Sequence, residues 1–358
     1  MLQFTSIKKI KILINSSLIC FIINFFIFNK IIKVGIIGLP HSQNVGNNLL
    51  KYAIYIKLVE LGFEPYIIGT MHKNNSNISF INNTIKIRII KKNFLEIKQN
   101  DYDILMVNSD QTWRRFSTSF FYDVAFLQFS KKWKIPKFVY GASLGVDVWE
   151  YTKNDETRIK NLIKNFSGFS LREKGSIKHV EEHLGIKPIL VLDPTFLINK
   201  KYYLKIIKNF KIDNLVDNSF IFIYTLTNSF ELKNYIKNNI EKNNYKYYLI
   251  DINVPNYIEK FIYGIYQSKG VITDSYHGTI FSIIFNKPFI SFLIKERGNE
   301  RFNSLKYIFN ISDRIFEIGS NPDINLLEKP LNINKSKYKY LKRVSLNFLK
   351  NNLRLKKA

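Results

Sequence analysis

The chain has 358 residues, which is enough for two domains with full hydrophobic cores. Its content of 46% hydrophobic and 23% charged residues is typical of a globular protein rather than a disordered one. Cys20 is the single cysteine, so an intrachain disulfide and a cysteine-ligated zinc site are excluded. This cysteine usage favours a reducing compartment.

The formal charge of +26 is the most unusual bulk property of the chain. Such a charge attracts nucleic acid, acidic membrane surfaces and anionic substrates alike. Lysine and asparagine are abundant throughout the sequence, as in proteins of AT-rich genomes, and the sequence contains no zinc finger and no arginine/aromatic reading motif. We therefore expect an anionic small substrate or a membrane surface, and no nucleic acid, as the partner.

Residues 1–33 form an apolar and basic extension before the first predicted domain. The uncharged segment Ile12–Asn29 has lysines on both sides and, at 18 residues, is at the lower limit for a membrane-spanning helix. Lysines at both ends set no clear orientation across a membrane. Two interpretations stay open: a membrane-associated anchor, or an extension that results from a misplaced start codon.

From Lys33 onward, short apolar runs alternate with helical stripes, and residues 34–198 form a first α/β series. The predicted strands of this series are Val34–Gly38, Pro65–Ile68, Tyr102–Val107, Lys137–Tyr140, Phe169–Leu171 and Ile189–Leu192. Predicted helices cover Asn48–Leu61 and Gly175–Leu184. Strands that alternate with helices indicate a parallel sheet with right-handed crossovers.

A second series occupies residues 199–330, after a lysine- and asparagine-rich break near 198–218. Its predicted strands are Phe220–Thr225, Tyr245–Asp251, Val271–Thr273 and Phe289–Leu293, with helices at 229–239, 258–267 and 279–285. Residues 331–358 contain a basic terminal helix. The fold class is therefore α/β, with two Rossmann-like domains that face each other across a cleft.

Polar side chains follow the apolar strands in both series. They are found at 41–47, 109–111, Ser143, Arg172 and 274–277. Ligands of open α/β sheets bind outside the carboxyl ends of the strands, so these residues are expected to converge on one cleft. At Asp274–Gly278 a strand passes into a helix whose first N–H groups suit an anion, and His277 is a candidate acid or base.

Two further kinds of motif bear on metal and nucleotide binding. His179–His183 matches H-x-x-E-H, a pattern found at zinc sites, but it lies on a Lys- and Glu-rich helix that reads as a solvated outer face. We expect no metal there. The chain has neither G-x-G-x-x-G nor the P-loop pattern, so dinucleotide and P-loop binding lack support.

Six short motifs in order resemble the polysaccharide pyruvyl transferase family. They are Asn44–Gly46 (NVG), Asn108–Trp113 (NSDQTW), Tyr140–Gly145 (YGASLG), Ser170–Lys174 (SLREK), Leu192–Thr195 (LDPT) and Thr273–Gly278 (TDSYHG). The resemblance runs from about Lys33 to about Arg314. The family commonly has glycine where Asn108 stands. The extension before Lys33 and the basic tail lie outside the pattern.

The resemblance implies a GT-B-like fold of two Rossmann-like halves. It implies transfer of a pyruvyl group from phosphoenolpyruvate to a sugar, which forms a ketal and releases phosphate without a nucleotide, metal or other cofactor. The partners implied are phosphoenolpyruvate and a saccharide of a cell-surface polysaccharide such as capsule or exopolysaccharide, free or lipid-linked. Since phosphoenolpyruvate is a cytoplasmic metabolite, we expect a cytoplasmic protein, with peripheral contact to the inner face of the membrane.

The site residues follow from the resemblance and from residue chemistry together. His277 is the candidate acid, Asp110 the group that accepts a proton from or orients an acceptor hydroxyl, and Arg172 a planar fork for phosphate or carboxylate. The expected substrate-binding residues are Asn44, Gly46, Ser109, Gln111, Ser143, Ser275, Gly278, Lys295 and Arg301, of which Lys295 and Arg301 would close over the anion.

Each of the three main assignments has a structural alternative. His277 and Asp110 could each cap a helix, and Arg172 could be the ion-pair partner of Glu173 or Asp193. For the whole chain, the alternatives are a GT-B-like glycosyltransferase that uses a nucleotide sugar and a basic membrane-surface protein without catalysis.

Overall fold

The computed structural model describes residues 31–41, 44–70, 84–212, 219–227, 229–250 and 254–354, apart from the side chain of Glu296. The predicted extension up to residue 30, with Ile12–Asn29 and Cys20, lies outside these residues. Within the described ranges, every helix is too short or too polar to cross a membrane.

The first half of the chain contains a seven-stranded parallel sheet. Its strands are β1 (Lys33–Ile37), β2 (Glu64–Gly69), β3 (Ile87–Ile89), β4 (Ile104–Val107), β5 (Lys137–Ala142), β6 (Gly168–Leu171) and β7 (Ile189–Leu190). The spatial order is β3-β2-β1-β4-β5-β6-β7. The order reverses between β1 and β4, which creates a crevice at their carboxyl ends where ligands bind in such folds.

The second half contains a five-stranded parallel sheet. Its strands are β8 (Ile221–Tyr224), β9 (Tyr247–Leu249), β10 (Gly270–Thr273), β11 (Phe289–Leu293) and β12 (Ile315–Glu317), in the order β12-β11-β10-β8-β9. Here the order reverses between β8 and β10. The two sheets confirm the predicted α/β fold with two Rossmann-like halves.

Ten α-helices connect and cover the described strands. They are α1 (Val45–Glu60), α2 (Phe121–Phe126), α3 (Lys153–Ile163), α4 (Lys174–Leu184), α5 (Lys200–Ile206), α6 (Phe230–Ile236), α7 (Tyr257–Gln267), α8 (Tyr276–Phe285), α9 (Glu300–Phe309) and α10 (Lys335–Leu353). The lysine-rich break predicted near 198–218 contains α5. The Asn199 side chain caps this helix by accepting a hydrogen bond from the N–H of Lys201.

The sequence patterns missed the two edge strands β3 and β12. Each has three residues and pairs with one neighbour, β2 for β3 and β11 for β12. An apolar run of this length is too short to stand out from loop sequence. Helices α2, α3, α5 and α9 were also not predicted; α2 and α5, with six and seven residues, are too short to show a periodic apolar stripe.

One hydrophobic core is shared by the two halves, while a second covers the other face of the first sheet and a third the other face of the second sheet. In the shared core, the rings of Tyr203 and Phe281 meet edge to face at 4.8 Å, and Tyr203 also lies 6.2 Å from Tyr52 of α1. Because this interface is apolar and continuous, it holds the two sheets in a defined relation.

The C-terminal helix α10 packs on both halves: its Tyr338 ring lies 5.7 Å from Phe309 of α9, and further along it packs on the first sheet. The Phe348 ring lies 6.1 Å from Phe138 and 6.2 Å from Tyr140, both on β5. The N–H of Leu192 donates to Oγ of Ser345 at 2.9 Å. The predicted terminal segment 331–358 therefore contributes its helix to the core shared by the two halves.

Candidate functional site

A cavity of about 610 Å³ opens where the carboxyl ends of the two sheets face each other. Its walls come from both halves. The lining residues include Leu39, Asn44, Asn47, Thr70, Asp110, Gln111, Arg114, Asp274, Ser275, Tyr276, His277, Arg297 and Arg301. The size is within the range of small-molecule sites. The residues at 110–111 and at 274–277, which follow strands of different sheets, therefore meet at one cavity as predicted.

Asp110 lies at the end of β4 in an unusual backbone conformation. Its φ is 87°, a value that disfavours residues other than glycine. The carboxylate accepts hydrogen bonds from its neighbour Gln111 N at 2.9 Å and from Nη2 of Arg172 at 3.0 Å. Asp110 thus caps the short turn at 111–113 and also lines the cavity. Strained residues concentrate at functional sites, which favours a role beyond capping.

Arg172 is fully buried at the end of β6, between two carboxylates. Nη1 donates to Oδ2 of Asp193 at 2.6 Å, and Nη2 to Asp110. The guanidinium also lies 4.8 Å from the centre of the Tyr276 ring. The structure therefore gives Arg172 the ion-pair role rather than a place on the cavity wall. From there it orients Asp110 and Asp193.

Burial and charge act in opposite directions on the two carboxylates. Burial alone would raise the pKa of Asp193, but the contact with His277 and the Arg172 charge hold that pKa well below its usual range. The same balance applies to Asp110, where Arg172, His277 and Arg301 outweigh burial and lower the pKa. Both side chains are therefore carboxylates at neutral pH.

His277 is the second residue of α8 and lies at the contact between the two halves. Its Nε2 is 3.8 Å from Oδ2 of Asp193, at ion-pair distance. On the other side, Gly46 of α1 covers the ring. The capping alternative for His277 does not hold, because Oγ of Ser275 accepts the cap hydrogen bond from the N–H of Gly278 at 3.2 Å.

The N-terminus of α8 points into the cavity. The N–H groups of Ser275 and Gly278 are bonded to Thr273 and Ser275, whereas those of Tyr276 and His277 have no partner among the described residues. Asp274 accepts from the N–H groups of Leu226 and Thr227, so its carboxylate holds the loop after β8. Burial raises the pKa of Asp274. This end of the helix can receive an anion.

Arginines supply the positive charge of the cavity. Arg301 is 8% exposed, its Nη2 donates to the carbonyl of Arg297 at 2.7 Å, and its Nε has no hydrogen-bond partner in the part of the chain that the structure describes. Burial, and then the charge of Arg172, lower the pKa of Arg301 to about 10. Arg114 and Arg297 line the same space. Lys295 and Arg301 were expected to close over the anion. Arg301 lines the cavity, whereas Lys295 is exposed and does not, and Arg297 lines the cavity instead.

Four other predicted site residues lie behind the cavity wall. Ser109 donates to the carbonyl of Gly141 at 2.6 Å, and Ser143 donates to the buried Glu173. Gly278 belongs to the capped turn of α8, and Gly46 packs on His277. Asn44, Gln111 and Ser275 are at the wall, where Asn44 also caps α1.

Sequence reasoning missed a buried lysine beside the cavity. Nζ of Lys51 donates to the carbonyl of Leu39 at 2.8 Å and lies 3.4 Å from Nδ1 of His41. Burial lowers the pKa of Lys51 to about 7, partly offset by Asp110. Burial, followed by the Lys51 charge, lowers the pKa of His41 to about 2. The signal was a lone lysine within the apolar stripe of α1.

The H-x-x-E-H helix face carries three groups that could approach a metal. Ligand atoms of His179, Glu182 and His183 lie within 4.8 Å of one another. Both histidines already have protein partners: His179 bonds the carbonyl of Asp147 at 2.8 Å and His183 bonds Glu156 at 3.0 Å. Trp149 stacks on the His183 ring at 4.4 Å.

The fold and the cleft define a two-domain GT-B-like protein whose facing strand ends enclose a cavity lined by arginines. A family model for polysaccharide pyruvyl transferase matches residues 44–296, more than half of the chain. The chain therefore belongs to the polysaccharide pyruvyl transferase family and is a transferase. A comparison with curated proteins gives no match.

Solved structures of low identity share the fold. The UDP-GlcNAc 2-epimerase from Neisseria meningitidis bound to UDP-GlcNAc is 12% identical with a TM-score of 0.54, over 89% of this chain and 100% of that one. The UDP-GlcNAc 2-epimerase from Methanocaldococcus jannaschii is 15% identical with a TM-score of 0.55, over 89% and 100%. A glycosyltransferase from Rickettsia africae is 15% identical with a TM-score of 0.50, over 91% and 94%. At these identities the likeness concerns the fold alone.

Proposed function

We propose that this enzyme transfers the pyruvyl group of phosphoenolpyruvate to two hydroxyls of a sugar, with release of phosphate. The observation that supports the proposal most is the combination of charges in the cavity. Arg114, Arg297 and Arg301 line the space into which the two unpartnered N–H groups of α8 point. Phosphoenolpyruvate carries a phosphate and a carboxylate on one carbon, so it needs two adjacent anion sites.

Arg301 is suited to one of these anions because its Nε is buried without a partner. A buried cation that lacks a counter-ion carries a desolvation cost, which a ligand anion relieves. The N–H groups of Tyr276 and His277 at the start of α8 are suited to the phosphate. Arg297, whose carbonyl holds Arg301, supports the same side of the cavity.

The reaction balances without an added oxidant or cofactor. A proton adds to the methylene carbon of phosphoenolpyruvate, and the first sugar hydroxyl attacks the cationic C2 and loses its proton. The C–O bond to phosphate then breaks, and the second hydroxyl attacks C2 to close the ketal. One of the two hydroxyl protons balances the new methyl group and the other leaves with phosphate.

His277 is the proposed acid, and Asp193 is its positioning residue. The Asp193 carboxylate, 3.8 Å from Nε2 and beyond hydrogen-bond distance, favours the protonated ring by its charge. Asp110, a carboxylate at the cavity wall, is the proposed acceptor of the hydroxyl proton. Arg172, predicted to bind the anion, is instead proposed to position both carboxylates.

The proposed acceptor is a sugar of a cell-surface polysaccharide or its precursor, free or lipid-linked, as in capsule or exopolysaccharide synthesis. The proposed location is the cytoplasm, where the donor is made, with peripheral contact to the inner face of the membrane. The net charge of +26 supports attraction to anionic lipid. The proposal requires neither a metal nor a nucleotide cofactor.

Thermal-shift measurements with phosphoenolpyruvate and with UDP-sugars test the donor. A ligand that binds only the folded state raises the melting temperature, so we expect a rise with phosphoenolpyruvate alone. Phosphate release in the presence of an acceptor should fall by about 10²–10⁴-fold in His277→Ala. A shift with UDP-sugars alone would favour the nucleotide-sugar glycosyltransferase, and near-normal turnover in the variant would remove His277 as the acid.

A further inference from the structure

A second cavity, of about 490 Å³, lies at the far end of α8 from the catalytic cleft. Its apolar wall is formed by Phe196, Ile198, Ile283, Ile284, Phe309 and Ile333. Helix α8 has 10 residues, so its two ends are about 15 Å apart. The groove thus begins where the catalytic helix ends, and none of its described lining residues also lines the cleft.

Among the residues that the structure describes, four lysines and no acidic residue line this groove. They are Lys200, Lys335, Lys339 and Lys342. Among the described residues, no carboxylate lies within ion-pair distance of any of them. Three of the lysines are on α10 at spacings of four and three residues, which places them on one face of the helix.

Lys342 is half-buried, whereas the other three lysines of the groove are exposed. Its Nζ lies 3.4 Å from the hydroxyl of Tyr338, which also lines the groove. Burial, and then the charge of Lys57, lower the pKa of Lys342 below its usual value, and the charge of Glu60 offsets only part of this shift. A cation in this position gains more from an anion than an exposed lysine does.

We propose that this groove binds an anionic phospholipid of the membrane surface, with an acyl segment on the apolar wall and the phosphate at the lysines of α10. The positive charge of the lysines suits an anionic headgroup. The wall of isoleucine and phenylalanine suits an apolar acyl chain beside that headgroup.

The inference extends the membrane contact in the proposed function, but it concerns binding alone and does not depend on the donor or the ketal chemistry. The proposed contact determines which end of α8 faces the membrane. A membrane bound at α10 and at the end of α8 leaves the cleft, at the start of α8, free for substrate.

Vesicle co-sedimentation of the full chain tests the site. Vesicles of phosphatidylcholine with and without phosphatidylglycerol are compared for the wild type and for Lys339→Gln/Lys342→Gln. Since a lysine near an anionic surface contributes about 1 kcal/mol, the double variant should bind the anionic vesicles about 30-fold more weakly. Lys131→Gln/Lys132→Gln, at two exposed lysines on the first half, is the control with the same charge change and should bind within twofold of the wild type.

A thermal-shift series distinguishes lipid from free phosphate. Short-chain phosphatidylglycerol should raise the melting temperature of the wild type but not of the groove variant. Inorganic phosphate should leave the difference in melting temperature between the two proteins unchanged. Equal weakening by both lysine pairs, binding to neutral vesicles as strong as to anionic ones, or an equal shift with inorganic phosphate would each overturn the proposal. Turnover on a soluble acceptor should be retained in the groove variant, which separates this test from that of the transfer reaction.

Discussion

Gly46 of α1 lies directly against the imidazole of His277 on α8. A Cβ at position 46 would be 2.0 Å from Nδ1 of His277, closer than real atoms approach. The two residues belong to different halves of the chain, and together they close the inner end of the cleft. Glycine is required here because no other residue lets the α1 backbone approach the ring so closely.

We predict that Gly46→Ala lowers turnover by about 100-fold, because the added methyl displaces His277 and a misplacement near 1 Å has this effect on catalysis. The measurement is phosphate release at saturating donor. Gly69→Ala is the matched control, since a Cβ there meets its nearest neighbours at an ordinary 3.8 Å. Equal activity of the two variants would show that the Gly46 contact does not position the histidine.

We predict that Arg172 mainly supports the stability of the fold, whereas Arg301 mainly supports binding of the ligand. Removing Arg172 leaves Asp193 and Asp110 buried without their cation, so Arg172→Gln should lower the free energy of unfolding by about 3–5 kcal/mol. Arg301→Gln should affect stability less and weaken the thermal shift by phosphoenolpyruvate more. Urea unfolding and ligand titration of both variants provide the comparison. The reverse pattern would place Arg172, and not Arg301, at the ligand.

Lys51 is predicted to make stability rise with pH. Below its folded-state pKa of about 7 the lysine is charged in both states, so the folded protein carries the full cost of burying the ammonium. Between pH 7 and 10.5 the unfolded chain binds a proton that the folded protein has lost, so the free energy of unfolding increases with pH.

The test is the difference between the wild type and Lys51→Met in urea unfolding from pH 7 to pH 10. The free energy of unfolding of the wild type minus that of the variant should rise with pH, with a slope that approaches about +1.4 kcal/mol per pH unit. His41, with its pKa of about 2, and Asp110, with its lowered pKa, do not titrate in this window. Parallel curves for the two proteins would contradict the buried, neutralisable lysine.

We predict that the H-x-x-E-H face needs no metal. His179→Ala/His183→Ala should leave turnover and metal content unchanged, because both histidines are engaged with Asp147 and Glu156. Stability should fall by about 1 kcal/mol through loss of the His183–Trp149 stacking. Elemental analysis of purified wild type and variant checks this. Zinc present in the wild type and lost in the variant would establish a metal site.

The order of elements was largely predictable from sequence. Strands buried on both faces have continuous apolar runs, as in Ile104–Val107 and Val271–Thr273, and helices between them have a 3.6-residue stripe. The polar residues that follow such strands were likewise found, because parallel strands bring their carboxyl ends to one edge. This reasoning located Asp110 and His277 at the cavity.

Only the tertiary structure decided which of several similar residues faces the ligand. Arg172 and Arg297 both follow strand ends, yet Arg172 is enclosed by two carboxylates while Arg297 lines the cavity. The direction of a side chain depends on packing against elements far away in sequence, which a local pattern does not contain. The same reason explains why Lys51 is buried and why α10 joins the first sheet: each depends on contacts between the chain's distant parts.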